Sequence, residues 1–268
     1  MEFGICLQSV IPVRAETAHR SEMVTQVLFG EMYRIMERSR GWNRIRMEYD
    51  GYEGWIDQDQ TTLISEHEFL RLENAPTALT LDLVQLISDE TGNTLIPVVM
   101  GSSLPAYGDH CTRICGAVFL YDGLVSDCFL NVTPQGIDPV RARLRVKENA
   151  MLYLNAPYLW GGRTPFGIDC SGFVQAVFKL QGLKLLRDAA LQSSQGEFIS
   201  FLAEAETGDL AFFEDEAGSI IHVGIILDRQ RIIHCSGKVQ IDILDHEGIY
   251  SATLQRYTHK LRLIRRIM

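Results

Sequence analysis

The sequence predicts an α+β protein, with small β-structures in its first half and a helix followed by buried strands in its second half. Short, nearly alternating segments divided by turn residues fill residues 1–65, a pattern typical of strands. Apolar residues recur at helical spacing over 173–180, directly after Asp169-Cys170-Ser171-Gly172. Two apolar runs, 220–227 and 231–235, then predict a hairpin of buried strands.

The composition is that of an ordinary globular protein. Of the 268 residues, 46% are hydrophobic and 22% are charged, and the formal net charge is −9. The length suits two or three domains, and the negative charge argues against nucleic acid or an acidic membrane surface as a partner. The chain has no apolar run of about 18 residues, so we expect no membrane-spanning helix.

The cysteines and the first residues bear on the cellular compartment. The six cysteines form no dense or regular framework, so we expect reduced thiols. Cys111 and Cys115 are a close pair with only His110 beside them, which does not favour a zinc site. Residues 1–16 lack the pattern of a signal peptide. We therefore expect a cytoplasmic protein, and we expect it to act as a monomer.

Residues 1–65 need no long helix, and a small closed β-barrel would remove the exposed edges of such short strands. The pattern resembles a bacterial SH3 domain, which implies a recognition or positioning role rather than chemistry. The motifs that carry the resemblance are Pro12-Val13-Arg14, Gln26-x-x-x-Gly30-Glu31, Gly41-Trp42-x-x-Ile45-Arg46 and Gly51-Tyr52-x-Gly54-Trp55-Ile56.

Residues 66–76 are predicted to be a connector. Apolar runs alternate with turn clusters from residue 77 to about 138 and predict a second small β unit, SH3-like mainly by its position. The predicted domains are therefore 1–65, 66–138 and 139–268.

Residues 139–156 are predicted to form a helix that leads into the central stretch, Tyr158 to Leu180. There a glycine-rich loop ends at a helix with Cys170 in its first turn and Asp169 as its N-cap. The positive end of a helix favours a thiolate, so we expect a lowered pKa for Cys170. The alternative is that Cys170 is one more small buried hydrophobic residue.

Two histidines interrupt the apolar strands that follow, at His222 and His234. A lone histidine in such a strand is usually a core residue, but two on paired strands can act together. In a hairpin centred on residue 229, position 222 pairs near 236, so His234 lies one diagonal step away. Cys170 is then a candidate nucleophile, His222 its general base and His234 the group that orients the base. The backbone N–H of Cys170 and the Tyr158 hydroxyl are candidate oxyanion donors.

The order Cys170, His222, His234 resembles the NlpC/P60 family of cell-wall peptidases over about residues 140–268. Further matching motifs are Asp169-Cys170-Ser171-Gly172, Gly208-Asp209-Leu210 and His222-Val223-Gly224. The resemblance implies a papain-like fold and a Cys-His-His triad that cleaves peptidoglycan stem peptides. It implies no metal and no cofactor. The predicted fold is thus a papain-like NlpC/P60 catalytic domain preceded by two small SH3-like β-barrels.

The order of domains resembles γ-D-glutamyl-L-diamino acid endopeptidases of the dipeptidyl-peptidase VI type, which release L-Ala-γ-D-Glu from peptides with a free N-terminal L-alanine. The resemblance implies that substrate is bound by a set of polar residues around the nucleophile and on the first SH3 domain: Asp169, Ser171, Tyr158, Asp188, Tyr52 and Glu22. Two residues depart from the pattern of these endopeptidases. Ala189 stands where related enzymes can have a serine, and Gln240 stands where an arginine is more familiar. The alternative function is a wall-binding SH3 protein with a silent peptidase fold.

Overall fold

The structure is a computed structural model, and it describes residues 2–131 and 138–268. The chain forms two compact units. One contains the chain up to residue 134 together with Gly182–Lys184, and the other contains the remainder.

Seven strands build the first sheet of the first unit: β1 (Glu2–Ile5), β2 (Val10–Arg14), β3 (Met23–Leu28), β4 (Met32–Ser39), β5 (Trp42–Met47), β6 (Glu53–Asp57) and β7 (Thr62–Ile64). Neighbouring strands follow the order β3-β2-β6-β5-β4-β1-β7. Alternate residues point inward, as Ile11 and Val13 do on β2, and they pack with Val27, Ile45 and Ile56 in one hydrophobic cluster. The strands expected over residues 1–65 are confirmed.

Most of the predicted connector, residues 66–76, is a helix, α1 (Glu66–Glu73). The Ser65 side chain accepts a hydrogen bond from the Glu68 backbone N–H at 3.1 Å, which satisfies one of the unpaired donors at the helix start. Phe69 and Leu72 are buried on one face.

Within residues 2–131, the first unit has six more strands: β8 (Thr77–Leu79), β9 (Val84–Asp89), β10 (Leu95–Val99), β11 (Ser103–Pro105), β12 (Cys111–Ile114) and β13 (Ala117–Leu120). They form a four-stranded sheet, β10-β9-β13-β12, and the pair β11-β8. One hydrophobic cluster joins Phe3 of β1 and Phe29, which directly follows β3, to Phe69, Val98 and Phe119. The end of the predicted domain 66–138, at 132–137, lies outside the described residues.

The second unit contains three α-helices in its described part: α2 (Pro139–Leu152), α3 (Cys170–Lys179) and α4 (Ala189–Gln192). The helix predicted over residues 139–156 is confirmed, although it ends earlier. Asp138 caps α2 by accepting from the Val140 backbone N–H. Over residues 2–131 and 138–268, no helix is long and apolar enough to span a membrane.

The described residues of the second unit also form nine strands: β14 (Arg163–Thr164), β15 (Gly167–Ile168), β16 (Glu197–Ile199), β17 (Leu210–Glu214), β18 (Ile220–Asp228), β19 (Arg231–Ser236), β20 (Lys238–Leu244), β21 (Gly248–Ser251) and β22 (Arg256–Arg266). β16 lies at one end of the order β16-β22-β17-β18-β19-β20-β21, and β21 also pairs with β22. The strands from β17 to β22 therefore close into a barrel. The final strand, β22, is the longest of these strands.

The predicted hairpin is confirmed as β18 and β19. Gly224 pairs with His234 and Ile226 with Ile232, so the register agrees with the expected pairing of position 222 near 236. Inside the barrel, Phe213, Ile226, Ile232 and other apolar residues form a hydrophobic cluster. Helix α3 packs against β18 and β19, which brings the start of the helix to the histidine strands.

Candidate active site

Cys170 is the first residue of α3, as the sequence predicts. Asp169 is the N-cap and accepts a hydrogen bond from the Gly172 backbone N–H at 2.6 Å. Gly182 has a φ of 75° just after the helix, a backbone conformation that favours glycine at a helix end. Cys170 therefore sits on a rigid element with part of its surface exposed, as a nucleophile requires.

Asp169 also forms a buried ion pair with Arg187. The Arg187 Nη1 donates to Asp169 Oδ1 at 3.0 Å and Nη2 donates to Oδ2 at 2.6 Å. The Gly161 backbone N–H donates to Oδ2 at 2.9 Å, so each carboxylate oxygen has at least two donors. Such two-pronged pairing compensates a charge that burial would otherwise make costly. The sequence did not predict a role for Arg187. Its position directly before the predicted site residue Asp188 was the one indication that it could belong to the site.

The expected lowering of the Cys170 pKa is wrong. Burial raises the pKa of the Cys170 thiol to about 12, and the negative charge of Asp169 adds to the rise. Hydrogen bonds from the Val223 and Ser171 backbone N–H groups act in the opposite direction, but they do not overcome the loss of water around the sulfur. A thiolate at Cys170 therefore needs a partner that takes its proton.

The two predicted histidines contact each other. His222 Nε2 lies 2.9 Å from His234 Nδ1, and His234 Nε2 lies 3.1 Å from Asp242 Oδ2. Both rings are buried. Burial lowers the pKa of His222 well below its usual 6.5, and the neighbouring His259 and His234 lower it further. His222 is thus a neutral imidazole at neutral pH, able to accept a proton.

His259 on β22 is a third histidine that sequence reasoning missed. Its ring stacks on His222 with a centroid distance of 4.1 Å and an interplanar angle of 24°. Burial lowers the pKa of His259 to about 4. Ring nitrogens of His222, His234 and His259 all lie within 4.8 Å of one another, so these three could hold a metal ion.

Ser171 and Tyr158 lie beside this centre. The Ser171 hydroxyl accepts from Arg187 Nη1 at 2.9 Å and donates to Asp169 Oδ1 at 3.3 Å. Tyr158 is 37% exposed. Burial raises the pKa of Tyr158 to about 12, and the negative charge of the nearby Asp169 contributes. Its hydroxyl therefore keeps its proton and can donate a hydrogen bond.

Asp188, Tyr52 and Glu22 are the remaining predicted site residues. Asp188 precedes α4 and is half-buried, and it caps that helix with its backbone only. Tyr52 lies in the turn before β6, where its backbone N–H donates to Asp50 Oδ1 at 3.0 Å. Glu22 is exposed just before β3. Tyr52 and Glu22 belong to the first unit.

Models of two protein families match parts of the chain. The model of the NlpC/P60 family matches residues 155–259, a range that contains Cys170, His222, His234 and His259. The model of the bacterial dipeptidyl-peptidase Sh3 domain matches residues 13–60, which lie in the first sheet.

Individual relatives cover most of the chain. The gamma-D-glutamyl-L-lysine dipeptidyl-peptidase of Bacillus subtilis is 28% identical over 278 residues, covering 94% of this chain and 81% of the relative. A probable endopeptidase of Haemophilus influenzae is 33% identical over 112 residues and is covered over 69% of its length. The crystal structure of an NlpC/P60 family protein from Bacillus cereus has a TM-score of 0.80 over 99% of both chains at 19% identity, which is a likeness of fold.

A thiol at a helix start beside a buried pair of histidines, on this fold, defines a cysteine peptidase. The chain belongs to the NlpC/P60 family, and it carries a bacterial SH3 domain ahead of the peptidase domain.

Proposed function

We propose that the protein is a cysteine endopeptidase that cleaves the bond between γ-D-glutamate and the diamino acid in peptidoglycan stem peptides. It acts on peptides with a free N-terminal L-alanine and releases L-Ala-γ-D-Glu. The observation that carries the proposal is the hydrogen-bonded pair His222–His234 on the strands against which the Cys170 helix packs. The name of the Bacillus subtilis relative, gamma-D-glutamyl-L-lysine dipeptidyl-peptidase, supports the choice of this bond as the one that is cleaved.

In the proposed reaction, Cys170 Sγ attacks the carbonyl carbon of γ-D-glutamate while its proton moves to His222. The Cys170 backbone N–H and the Tyr158 hydroxyl donate to the oxyanion that forms. His222 then gives its proton to the leaving amine of the diamino acid, and the C–N bond breaks. Water, activated by His222, hydrolyses the thioester and restores the thiol.

The raised pKa of Cys170 and the lowered pKa of His222 fit this sequence of steps. Both groups are neutral before substrate binds. The charged pair then forms together with the bond to carbon, where the imidazolium stabilises the sulfur that it has just deprotonated.

Asp169, Ser171, Asp188, Tyr52 and Glu22 remain proposed substrate-binding residues. For Asp169 the contacts add a second role, because its oxygens already accept from Arg187, Gly161 and Gly172. A substrate amine at Asp169 would be a further donor to an oxygen that already has two.

Three broader features belong to the same proposal. Residues 66–138 form a second, divergent SH3-like domain, so that the chain has the domains 1–65, 66–138 and 139–268, with a papain-like α+β peptidase last. The protein acts as a monomer in the cytoplasm on wall peptides that are being recycled. Six free cysteines support a reducing compartment.

The test is release of L-Ala-γ-D-Glu from L-Ala-γ-D-Glu-L-Lys, followed by mass spectrometry. Cys170→Ala should abolish release, about 10⁴-fold or more below the wild type, because no other group attacks the carbonyl. Cys115→Ala removes an exposed thiol and is the matched control with full activity. If Cys170→Ala released L-Ala-γ-D-Glu as fast as the wild type, the proposed attack by Cys170 would be wrong.

The same peptide with an acetylated N-terminus tests the requirement for a free amine. We expect kcat/KM to fall about 100-fold or more, because acetylation removes the positive charge that a buried acidic site would bind. Equal cleavage of both peptides would remove the amine-binding role proposed for Asp169, Asp188 and Glu22 while leaving the peptidase activity intact.

A further inference from the structure

The hydrogen-bonded chain that begins at His222 does not end at His234. It continues to Asp242 on β20, whose Oδ2 lies 3.1 Å from His234 Nε2. Gln240 Nε2 donates to the same oxygen at 2.9 Å, so the carboxylate is held in place from its own strand. Its side chain is only 12% exposed. A neutral histidine by itself stabilises a protonated base only weakly. A carboxylate hydrogen-bonded to that histidine adds the negative charge that it does not have.

The chain of contacts determines which ring nitrogens carry protons. An ionised carboxylate only accepts hydrogen bonds, so His234 Nε2 must donate to Asp242. His234 Nδ1 is then unprotonated and must accept, which makes His222 Nε2 the donor in the 2.9 Å contact. The remaining nitrogen, His222 Nδ1, keeps its lone pair. That nitrogen is the one with a free lone pair for the thiol proton.

We propose that Asp242 is a positioning residue that fixes, through His234, the tautomer of His222 in which Nδ1 is free to accept the proton of Cys170. The inference rests on the proposed function, because it assigns His222 the role of base. Asp242 also supplies a fixed negative charge two residues away along the relay, which stabilises the imidazolium that forms during attack.

Several other groups lie near the His222 ring and can also affect its protonation. The test must distinguish their effects from that of Asp242. His234 on β19 and His259 on β22 contact its ring, and the uncharged Phe213 on β17 lies at 5.8 Å between ring centroids. Cys170 and Asp169 lie at the start of α3, which packs on β18. Among the described residues named here, Asp242 alone is both negatively charged and hydrogen-bonded to His234. Removal of its charge therefore has an effect that changes at the other groups do not share.

The decisive measurement is the tautomer of His222 and His234 in the free protein, read by NMR of ¹⁵N-labelled histidine rings. We expect both to carry Nε2–H in the wild type. Asp242→Ala removes the acceptor, so a substantial fraction of both rings should change to Nδ1–H. Asp228→Asn is the control, because it removes an exposed carboxylate from the hairpin turn and should leave the tautomers unchanged.

Activity and pH dependence give a second readout. Asp242→Asn should lower kcat about 10- to 100-fold with little change in KM, since the lost charge acts on the transition state. The acidic limb of kcat/KM should move to lower pH, because the imidazolium loses its negative partner. A purely structural role would lower the yield of folded protein without moving that limb.

The alkylation rate of Cys170 by iodoacetamide, followed on its own peptide by mass spectrometry, gives a readout that needs no peptide substrate. If the peptide is not cleaved but the tautomers and the alkylation profile change in the Asp242 variants, the proposed function fails and the relay stands. Wild-type tautomers in Asp242→Ala overturn the inference. If that variant does not fold, an Asp242→Asn protein with wild-type kcat and an unmoved acidic limb overturns it instead.

Discussion

The second unit contains two clusters of buried ionisable side chains. The two clusters offset the free-energy cost of burying a charge in opposite ways. At the start of α3, Asp169 keeps its charge and is compensated by Arg187 with two hydrogen bonds. On strands β18 and β22, His222 and His259 are held neutral, because burial lowers the pKa of each. The first cluster balances the charge of Asp169 with the opposite charge of Arg187. In the second cluster the histidines are uncharged.

The difference follows from what each cluster does. A charge that stays fixed can be balanced once by a permanent partner, and the balanced pair then holds the loop and the helix start in register. A base must instead change its charge during each turnover, so it needs a lone pair before attack and support for the cation afterwards. Neutral rings joined to a carboxylate provide both.

The largest effect should come from the neutral cluster. His222→Ala should lower kcat/KM about 10²- to 10⁴-fold, the range for loss of a general base. Alkylation of Cys170 near neutral pH should also slow, because its thiol has a raised pKa and loses its proton acceptor. His67→Ala, a change at an exposed position in α1, is the control. Wild-type alkylation in His222→Ala would assign the base to another group.

The charged cluster should respond in stability. Arg187→Met leaves the buried Asp169 carboxylate without its cation and should lower the free energy of unfolding by about 3–5 kcal/mol, measured by urea denaturation. Arg231→Met breaks an exposed pair with Asp228 and should change stability little. Equal effects in the two variants would show that the Asp169–Arg187 pair has no special structural weight.

A smaller effect should appear when His259 is replaced by Phe, which preserves a ring against His222. The pKa of His259 falls from 6.5 to about 4 on folding, so its contribution to stability is present above pH 6.5 and is lost as the pH falls toward 4. His259→Phe should therefore lose less stability than the wild type between about pH 7 and pH 5, measured by thermal unfolding. Identical pH dependence would mean that His259 titrates normally in the fold.

Several parts of this site could be read from the sequence. Asp169 as an N-cap, Cys170 as the first helical residue and the register of the two histidine strands follow from local spacing, since caps, helical periodicity and hairpin pairing act over a few residues. Helix α1 was missed although Ser65 and Glu68 have the spacing of a helix start. His259 gave no signal, because only the closing strand β22 brings it next to His222.

The sequence alone determined the elements and their order: a helix that begins at Cys170, two strands that carry His222 and His234, and a β-rich first half. Only the tertiary structure decided the protonation of the site. The pairing of Asp169 with Arg187, the stacking of His259 on His222 and the contact of Asp242 with His234 all join distant segments. Burial, which raises the thiol pKa and lowers the imidazole pKa, exists only after those segments have packed together.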